Sequence, residues 1–292
     1  MSTSIVVTGA TGNLGRLIID QLIARGTAPV DIVAAGRNVE RLAAVGRLGV
    51  STAVIDFASP ASLDSAFASA DTLMLVSGSE VGQRIQQHAN AISAAARNGI
   101  TRIVYTSAPH AETSALIIAP EHKATEKALL DSGISFSILR NNWYSENYLS
   151  SMTQASRSGT YADSTRGGLV ASASRVDFAE AAAVVLTTAG HERTAYELGG
   201  DHAWNGSELA AAMADVLRKP VTYLALTPEQ HAAALTATGL DAATVGFLVA
   251  LDGNIHDGLL GETTGDLARL IGRPTTPLSE GLRAGRRPSQ SE

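Results

Sequence analysis

Three glycines at three-residue spacing, Gly9, Gly12 and Gly15, lie in the run Thr8-Gly9-Ala10-Thr11-Gly12-Asn13-Leu14-Gly15, directly after the apolar stretch Ile5-Val6-Val7 and before a helical pattern. Strand, glycine turn and helix in that order place main-chain N–H groups against a dinucleotide pyrophosphate. Gly9 permits the tight turn, Gly12 removes the Cβ that would hold the phosphates away, and Gly15 lets the helix pack close to the strand. The N–H groups of Asn13 and Leu14, beside Thr11, then face the phosphates at the positive end of the helix. The plainer alternative is a glycine-rich strand-to-helix turn with no ligand.

The end of the second strand bears on which dinucleotide. A site for NAD would place a carboxylate there to accept the ribose hydroxyls, and this chain has Ala35-Gly36-Arg37-Asn38 instead. The planar guanidinium of Arg37 suits the 2′-phosphate of NADP through paired, charged hydrogen bonds. Stacked on adenine instead, it would admit NAD nearly as well, and no second basic residue follows it. NADPH is therefore the expected cofactor, with NADH also admitted. Asp56, after the third strand, is a candidate for the adenine edge. Ser77-Gly78-Ser79, after the fourth, brings backbone close to the nicotinamide ribose, unless Ser79 serves only as a helix cap.

Short-chain alcohol dehydrogenases move protons with a Tyr and a Lys four residues later. Here Tyr105, Tyr144, Tyr148, Tyr161, Tyr196 and Tyr223 are followed at that offset by Pro109, Tyr148, Met152, Thr165, Gly200 and Thr227. Carbonyl–alcohol interconversion by a tyrosine acid is thus disfavoured. What remains for the reacting edge is Thr106-Ser107, His122 and the run Arg140-Asn141-Asn142-Trp143-Tyr144. An apolar, aromatic, amide-rich mouth of that kind suits a flat electrophile that takes hydride directly.

Positioning these groups requires a sheet. Strand-length apolar runs at 5–7, 31–35, 52–55, 72–76, 102–106, 136–139 and 194–198 alternate with helical patterns at 14–25, 39–45, 63–68, 81–97, 120–131 and 177–188. That alternation predicts an α/β fold, a Rossmann-type doubly wound parallel sheet. Ser62 and Ser79 are read as N-caps, and Gly26, Gly49, Gly99 and Gly133 as helix stops. Beyond Gly199 the pattern changes to helices at 207–218, 228–235 and 242–251 with a strand at 221–224. The expected organisation is a dinucleotide domain over 1–199, some of whose segments join the second lobe, a smaller lobe over 200–284 that covers the substrate, and a disordered tail over 285–292 that begins its loss of apolar pattern at Arg283.

The 292 residues include no cysteine, which excludes disulfides, thiolate metal sites and iron–sulfur clusters, and no metal site is expected. The formal charge is −6 and lysine occurs only at positions 123, 127 and 219, so the basic stripe of a nucleic-acid binder is missing. No basic segment precedes Ile5 and the first apolar run breaks at Gly9, so neither a signal peptide nor a membrane span is expected, and the cytoplasm is the default.

Taken in order, Gly9–Gly15, Ser79-Glu80-Val81-Gly82-Gln83-Arg84, Glu121-His122 with Glu126-Lys127, Leu139 to Tyr148, Ser172-Ala173-Ser174-Arg175, Tyr196-Glu197-Leu198 and Leu270 to Thr276 resemble the NmrA-like atypical short-chain dehydrogenase/reductase family. Within it the type 2 NAD(P)H:quinone oxidoreductases are most similar. The resemblance spans nearly the whole chain. It implies a flavin-free reductase passing hydride from nicotinamide to a quinone, with the cofactor touched by the glycine turn, Arg37, the Ser77 loop, Tyr144, Ser145, Glu146, Asn147 and Arg175. Many relatives carry a catalytic lysine where this chain has His122, so lysine chemistry does not carry over. His122, with an ordinary pKa near neutrality, is then a candidate proton donor or else a structural hydrogen-bonder. Asn142 is a candidate for binding a carbonyl, and Trp143 for walling the pocket or filling core. Two other functions fit the resemblance: an NADP-binding redox sensor that engages a protein partner without turnover, and a reductase of triphenylmethane-type dyes. A monomer or small homo-oligomer is expected.

Overall fold

The computed structural model describes residues 4–286. In chain order the elements are β1 (Ile5–Val7), α1 (Asn13–Ala24), β2 (Ile32–Gly36), α2 (Val39–Gly46), β3 (Ser51–Val54), α3 (Pro60–Phe67), β4 (Thr72–Leu75), α4 (Arg84–Arg97), β5 (Arg102–Ser107), α5 (Ala119–Asp131), β6 (Ser135–Asn141), α6 (Leu149–Ser158), β7 (Thr160–Asp163), α7 (Arg175–Thr187), β8 (Thr194–Leu198), α8 (Gly206–Leu217), β9 (Thr222–Ala225), α9 (Pro228–Ala237), α10 (Ala242–His256), α11 (Asp266–Ile271) and α12 (Leu278–Arg286). No helix among the described residues is long and apolar enough to cross a membrane.

They divide into two compact units. The first takes residues up to 112, then 118–141 and 175–197, and the second takes 113–117, 142–174 and 198 onward. Within the 1–199 expected as the dinucleotide domain with some segments in the second lobe, residues 113–117 and 142–174 fall in the second unit. The longer of these segments carries α6 and β7, which no strong periodicity announces. β7 pairs in parallel with β9, with Tyr161 opposite Tyr223, and this two-stranded sheet belongs to the second unit.

The first unit is built on a sheet ordered β3-β2-β1-β4-β5-β6-β8. The five pairings from β3 to β6 are all parallel. Hydrophobic rows run sideways through it. Val6, Leu73, Ile103 and Phe136 stand in one register row, and Leu75, Tyr105 and Ile138 in the next. Residues two apart on a strand face the same way, and both rows bury against Leu63 and Phe67 of α3, Ala91, Ile92 and Ala95 of α4 and Leu129 of α5. The intervening Val7, Met74 and Val104 are buried as well, the continuous apolar pattern of strands covered on both faces. α1 turns Leu14, Ile18, Ile19 and Leu22 inward at three- and four-residue spacing and packs along α7.

Strand order reverses between β1 and β4, and ligands of open parallel sheets bind at such a point, beyond the carboxyl ends of the strands. The loops that follow these two strands are stitched together there: Thr8 N and Oγ1 both donate to Met74 O, at 3.0 and 3.2 Å, and Val76 N donates to Thr8 Oγ1 at 3.0 Å.

Several expectations are corrected. Ser62 is not a cap: Pro60 takes the first helical position of α3 behind Ser59, a full turn earlier, because proline's fixed φ is preorganised for a helix start. Ser79 is not a cap either, since Gly82 at φ +89° interrupts the chain and α4 begins only at Arg84. The tail departs most. Arg283 lies in α12, with Leu282 buried and Arg283 bridging to Asp215 at 2.7 Å. Gly285 and Arg286 end the same helix, and the rest of the predicted disordered tail, 287–292, lies outside the described residues. Leu278, Leu282 and Ala284 were too few apolar residues to announce α12.

Candidate cofactor site

The glycine turn takes the conformation that its residue types demand. Gly9 sits at φ +62°, left-handed backbone that glycine adopts without cost. At Gly15 a Cβ would lie 2.3 Å from the carbonyl oxygen of Gly9, so only glycine lets α1 approach the turn this closely. Ala10 N donates to Ala35 O and Gly12 N to Gly9 O, at 3.0 and 2.9 Å, which fixes the path between the strands. Among the described residues no side chain caps α1, and no acidic residue stands in its first turn. A helix start with open N–H groups and no carboxylate is prepared for an anion. Thr11 adjoins Gly36, where a Cβ would meet its side chain at 3.1 Å.

Around the turn stand groups that the sequence named and others it did not. Arg37, after β2, is ion-paired with Glu80. The second carboxylate oxygen of Glu80 accepts from Gln87 Nε2 at 2.7 Å. These two partners hold the Glu80 carboxyl below the usual carboxylate range. Asp56, beyond β3, is exposed and accepts from Ala58 N at 2.9 Å.

Beyond β4 the Ser77–Gly78 backbone is fastened from beneath. Ser77 N donates to Thr106 Oγ1 at 2.8 Å and Gly78 N to His88 Nε2 at 3.1 Å, while the Gly78 carbonyl accepts from Arg84. An amide N–H can only donate, so His88 Nε2 is an acceptor and the ring carries its proton on Nδ1. That proton goes to Thr125 Oγ1 at 2.9 Å, whose own hydrogen goes to Glu121 O at 2.9 Å. Burial, reinforced by the Arg84 cation, lowers His88 to about 4, and the ring is neutral. Ser79 is exposed.

At the end of β5, Tyr105 Oη and His122 Nδ1 lie 2.7 Å apart, both residues buried. Burial first, then Arg84 and His88, lowers His122 to about 3, and burial pushes the Tyr105 phenol up. The near-neutral pKa on which a His122 proton donor depends is therefore not the one this environment gives. Ser107 Oγ donates to Glu126 Oε1 at 2.6 Å. Arg140 grips Glu126 with two bonds, at 3.0 and 2.7 Å, and reaches Glu197 at 2.8 Å. Glu197 also accepts from the backbone N of His110, a non-glycine residue at φ +45°. Sequence reasoning missed this brace and the His88 anchor. Arg140, directly after the apolar run Ile138-Leu139 of β6, was the available signal.

Arg175 opens α7 in the first unit, whereas Asn142, Trp143, Tyr144, Ser145, Glu146 and Asn147 belong to the second. The Asn142 amide is occupied with its surroundings: Oδ1 accepts from Trp143 N at 2.7 Å and Nδ2 donates to Leu260 O at 3.1 Å. Trp143 is half-buried. Tyr144 bridges in parallel to Ala173, and Ser145, itself buried, pairs with Ser172 at 2.9 Å. Glu146 accepts from Ser174 Oγ at 3.2 Å, and Asn147 N donates to Tyr144 O at 3.0 Å.

Comparison with known proteins agrees with this geometry. Quinone oxidoreductase 2 of Escherichia coli is 44% identical over 279 residues, 95% of this chain and 97% of that protein. The crystal structure of the E. coli NADPH-dependent quinone oxidoreductase QOR2 in complex with NADPH superposes with a TM-score of 0.91 at 43% identity, covering 96% of this chain and 99% of the other. The Citrobacter sp. triphenylmethane reductase complexed with NADP(H) is 34% identical with a TM-score of 0.88, covering 97% of this chain and 100% of that one. The family model described as NAD(P)H-binding matches residues 9–189, from the first glycine of the turn to the end of α7 and just beyond. This chain belongs to the NAD(P)H-binding family.

Proposed function

We propose that the protein is a flavin-free reductase that oxidises NADPH, with NADH as a poorer donor, and passes hydride to a quinone. The observation that carries the cofactor half is the uncapped start of α1 drawn onto Gly9 by the absence of a Cβ at Gly15. The residues present fit the cofactor: Gly9 to Gly15 with Thr11, Asn13 and Leu14 hold the pyrophosphate, Arg37 the 2′-phosphate, Asp56 the adenine edge, the Ser77–Ser79 backbone the ribose, and Arg175 a further polar contact. When bound, the reduced nicotinamide supplies the hydride. The chain's own part is positioning, since a quinone accepts hydride readily and bringing reactants to near-attack distance supplies much of an enzyme's acceleration. His88 and Thr106 keep the Ser77–Gly78 backbone in place, and solvent delivers the single proton that completes the hydroquinone.

Similarity to the E. coli quinone oxidoreductase supports the acceptor. Similarity to the Citrobacter enzyme supports a second acceptor class, the triphenylmethane dyes. Comparison of kcat/KM for NADPH oxidation with benzoquinones, naphthoquinones and cationic dyes separates the two. NADPH binding without stimulation by any acceptor would instead favour a redox sensor. The reading places the protein in the cytoplasm, as a monomer or small homo-oligomer without a nucleic-acid partner.

A further inference from the structure

The guanidinium assigned to the 2′-phosphate already has a partner. Arg37 Nη1 is paired with Glu80 Oε1. Glu80 is braced on its other side by Gln87, a buried residue of α4 whose amide donates to Oε2 at 2.7 Å. β1 lies between β2 and β4 in the sheet. A pair that joins the residue after β2 to the loop after β4 therefore passes the end of β1, where the glycine turn begins. Both members are accessible, with side chains 64% and 36% exposed, so a ligand can reach either.

We propose that Glu80 is a specificity-determining residue, an internal competitor that occupies Arg37 until the 2′-phosphate of NADPH displaces it. The inference rests on the cofactor reading above. A 2′-phosphate offers more negative charge and more acceptor oxygens than the single carboxylate oxygen now bound, so it takes the guanidinium. The 2′-hydroxyl of NADH cannot, and the ion pair persists in that complex. NADPH affinity then reflects the difference between two arginine contacts, while NADH affinity is indifferent to the exchange. Glu80 thereby narrows the preference that Arg37 alone would give.

The test is a double-mutant cycle read by binding, with the full chain titrated by NADPH and by NADH in calorimetry at low ionic strength. For E80Q the expected result is NADPH binding tightened about 3-fold, in the range that exposed ion pairs support, with NADH changed by much less. In an R37A background the same substitution has no effect on NADPH. E80A serves as a second variant and gives the same direction. Unchanged or weaker NADPH binding in E80Q would overturn the proposal, and so would equal tightening of both nucleotides or tightening that persists in R37A/E80Q, either of which marks a general charge effect. Binding of neither nucleotide by the parent protein would remove the cofactor reading itself. NADPH binding combined with a failed cycle would remove only the role given to Glu80.

Discussion

Replacing Gly15 with alanine places a methyl carbon 2.3 Å from the carbonyl oxygen and 2.7 Å from the carbonyl carbon of Gly9. Ordinary van der Waals contact begins near 3.4 Å, so the first turn of α1 must retreat by roughly 1 Å. It cannot do so freely, because Leu14, Ile18, Ile19 and Leu22 are buried and α1 packs along α7. Overpacking of that kind costs about 1–3 kcal/mol of folding stability. The functional loss is separate. A 1 Å retreat of the Asn13 and Leu14 amides takes them out of hydrogen-bond range of a phosphate, and one or two charge-assisted bonds at about 1.5–3 kcal/mol each correspond to a Kd raised by roughly 100-fold. Both nucleotides share the pyrophosphate, so NADPH and NADH suffer alike. Calorimetric titration of the folded variant, with urea denaturation to measure the stability term, checks both quantities. A folded G15A protein that binds NADPH within a factor of three of the parent would refute the phosphate cradle, and a loss confined to NADPH would refute its assignment to the pyrophosphate.

Three further outcomes follow from the same site. R37A weakens NADPH binding by about 10-fold, the scale of one charge-assisted contact, and NADH by less than about 2-fold; equal losses in parallel titrations would contradict the 2′-phosphate role. H122Q leaves the pH profile of kcat between about 6 and 9 unchanged with a loss below about 5-fold, since His122 is already neutral there; disappearance of a titrating limb would restore it as a proton donor. His88 and His122 are lowered to about 4 and about 3 in the fold. Both therefore take up protons more readily when unfolded, where histidine titrates near 6.5. Their contribution to stability is complete above about pH 6.5 and is lost as the pH falls toward 4 and 3, at up to about 1.4 kcal/mol per pH unit for each. Denaturation midpoints at pH 7.5 and 5 measure that loss, and a flat response would show that the rings are not held neutral.

The parts of this molecule legible in the sequence are those encoded in contiguous residues. Ile5–Val7 followed by Gly9, Gly12 and Gly15 carries the strand, the turn and the helix start in one short run, and the period-2 rows through Leu73, Leu75, Ile103 and Tyr105 follow from single strands. Gly26, Gly99 and Gly133 take positive φ directly after the caps of α1, α4 and α5, whereas Gly49 takes it in the turn three residues beyond α2. What escaped depends on distance along the chain. Glu80 meets Arg37 across 43 residues and Glu197 meets Arg140 across 57, and no local pattern announces either pair. The excursion through α6 and β7 was hidden for a similar reason. β7 finds its partner in β9, and its four residues, Thr160–Asp163, alternate half-buried and buried, a weak signal beside the fully buried β1 and β4.

The polar groups near the carboxyl ends of β4 and β5 are mostly spent on holding backbone or one another. His88 gives one nitrogen to Gly78 and the other to Thr125, Thr106 receives the Ser77 amide, Ser107 is given to Glu126, and Tyr105 is closed onto His122. Among these, the two histidines are neutral and the phenol is held far from ionisation. An enzyme that had to protonate an unactivated carbonyl as hydride arrives would need a donor of matched pKa aimed at the oxygen, and this inventory does not supply one. A conjugated acceptor whose charge is delocalised as it forms makes no such demand, and solvent can complete the protonation afterwards. The same arrangement gives His88 an indirect role. Protonating it removes the acceptor for the Gly78 amide, so a change in its charge would loosen the Ser77–Gly78 backbone proposed to position the cofactor, and would reach the chemistry through geometry rather than through proton transfer.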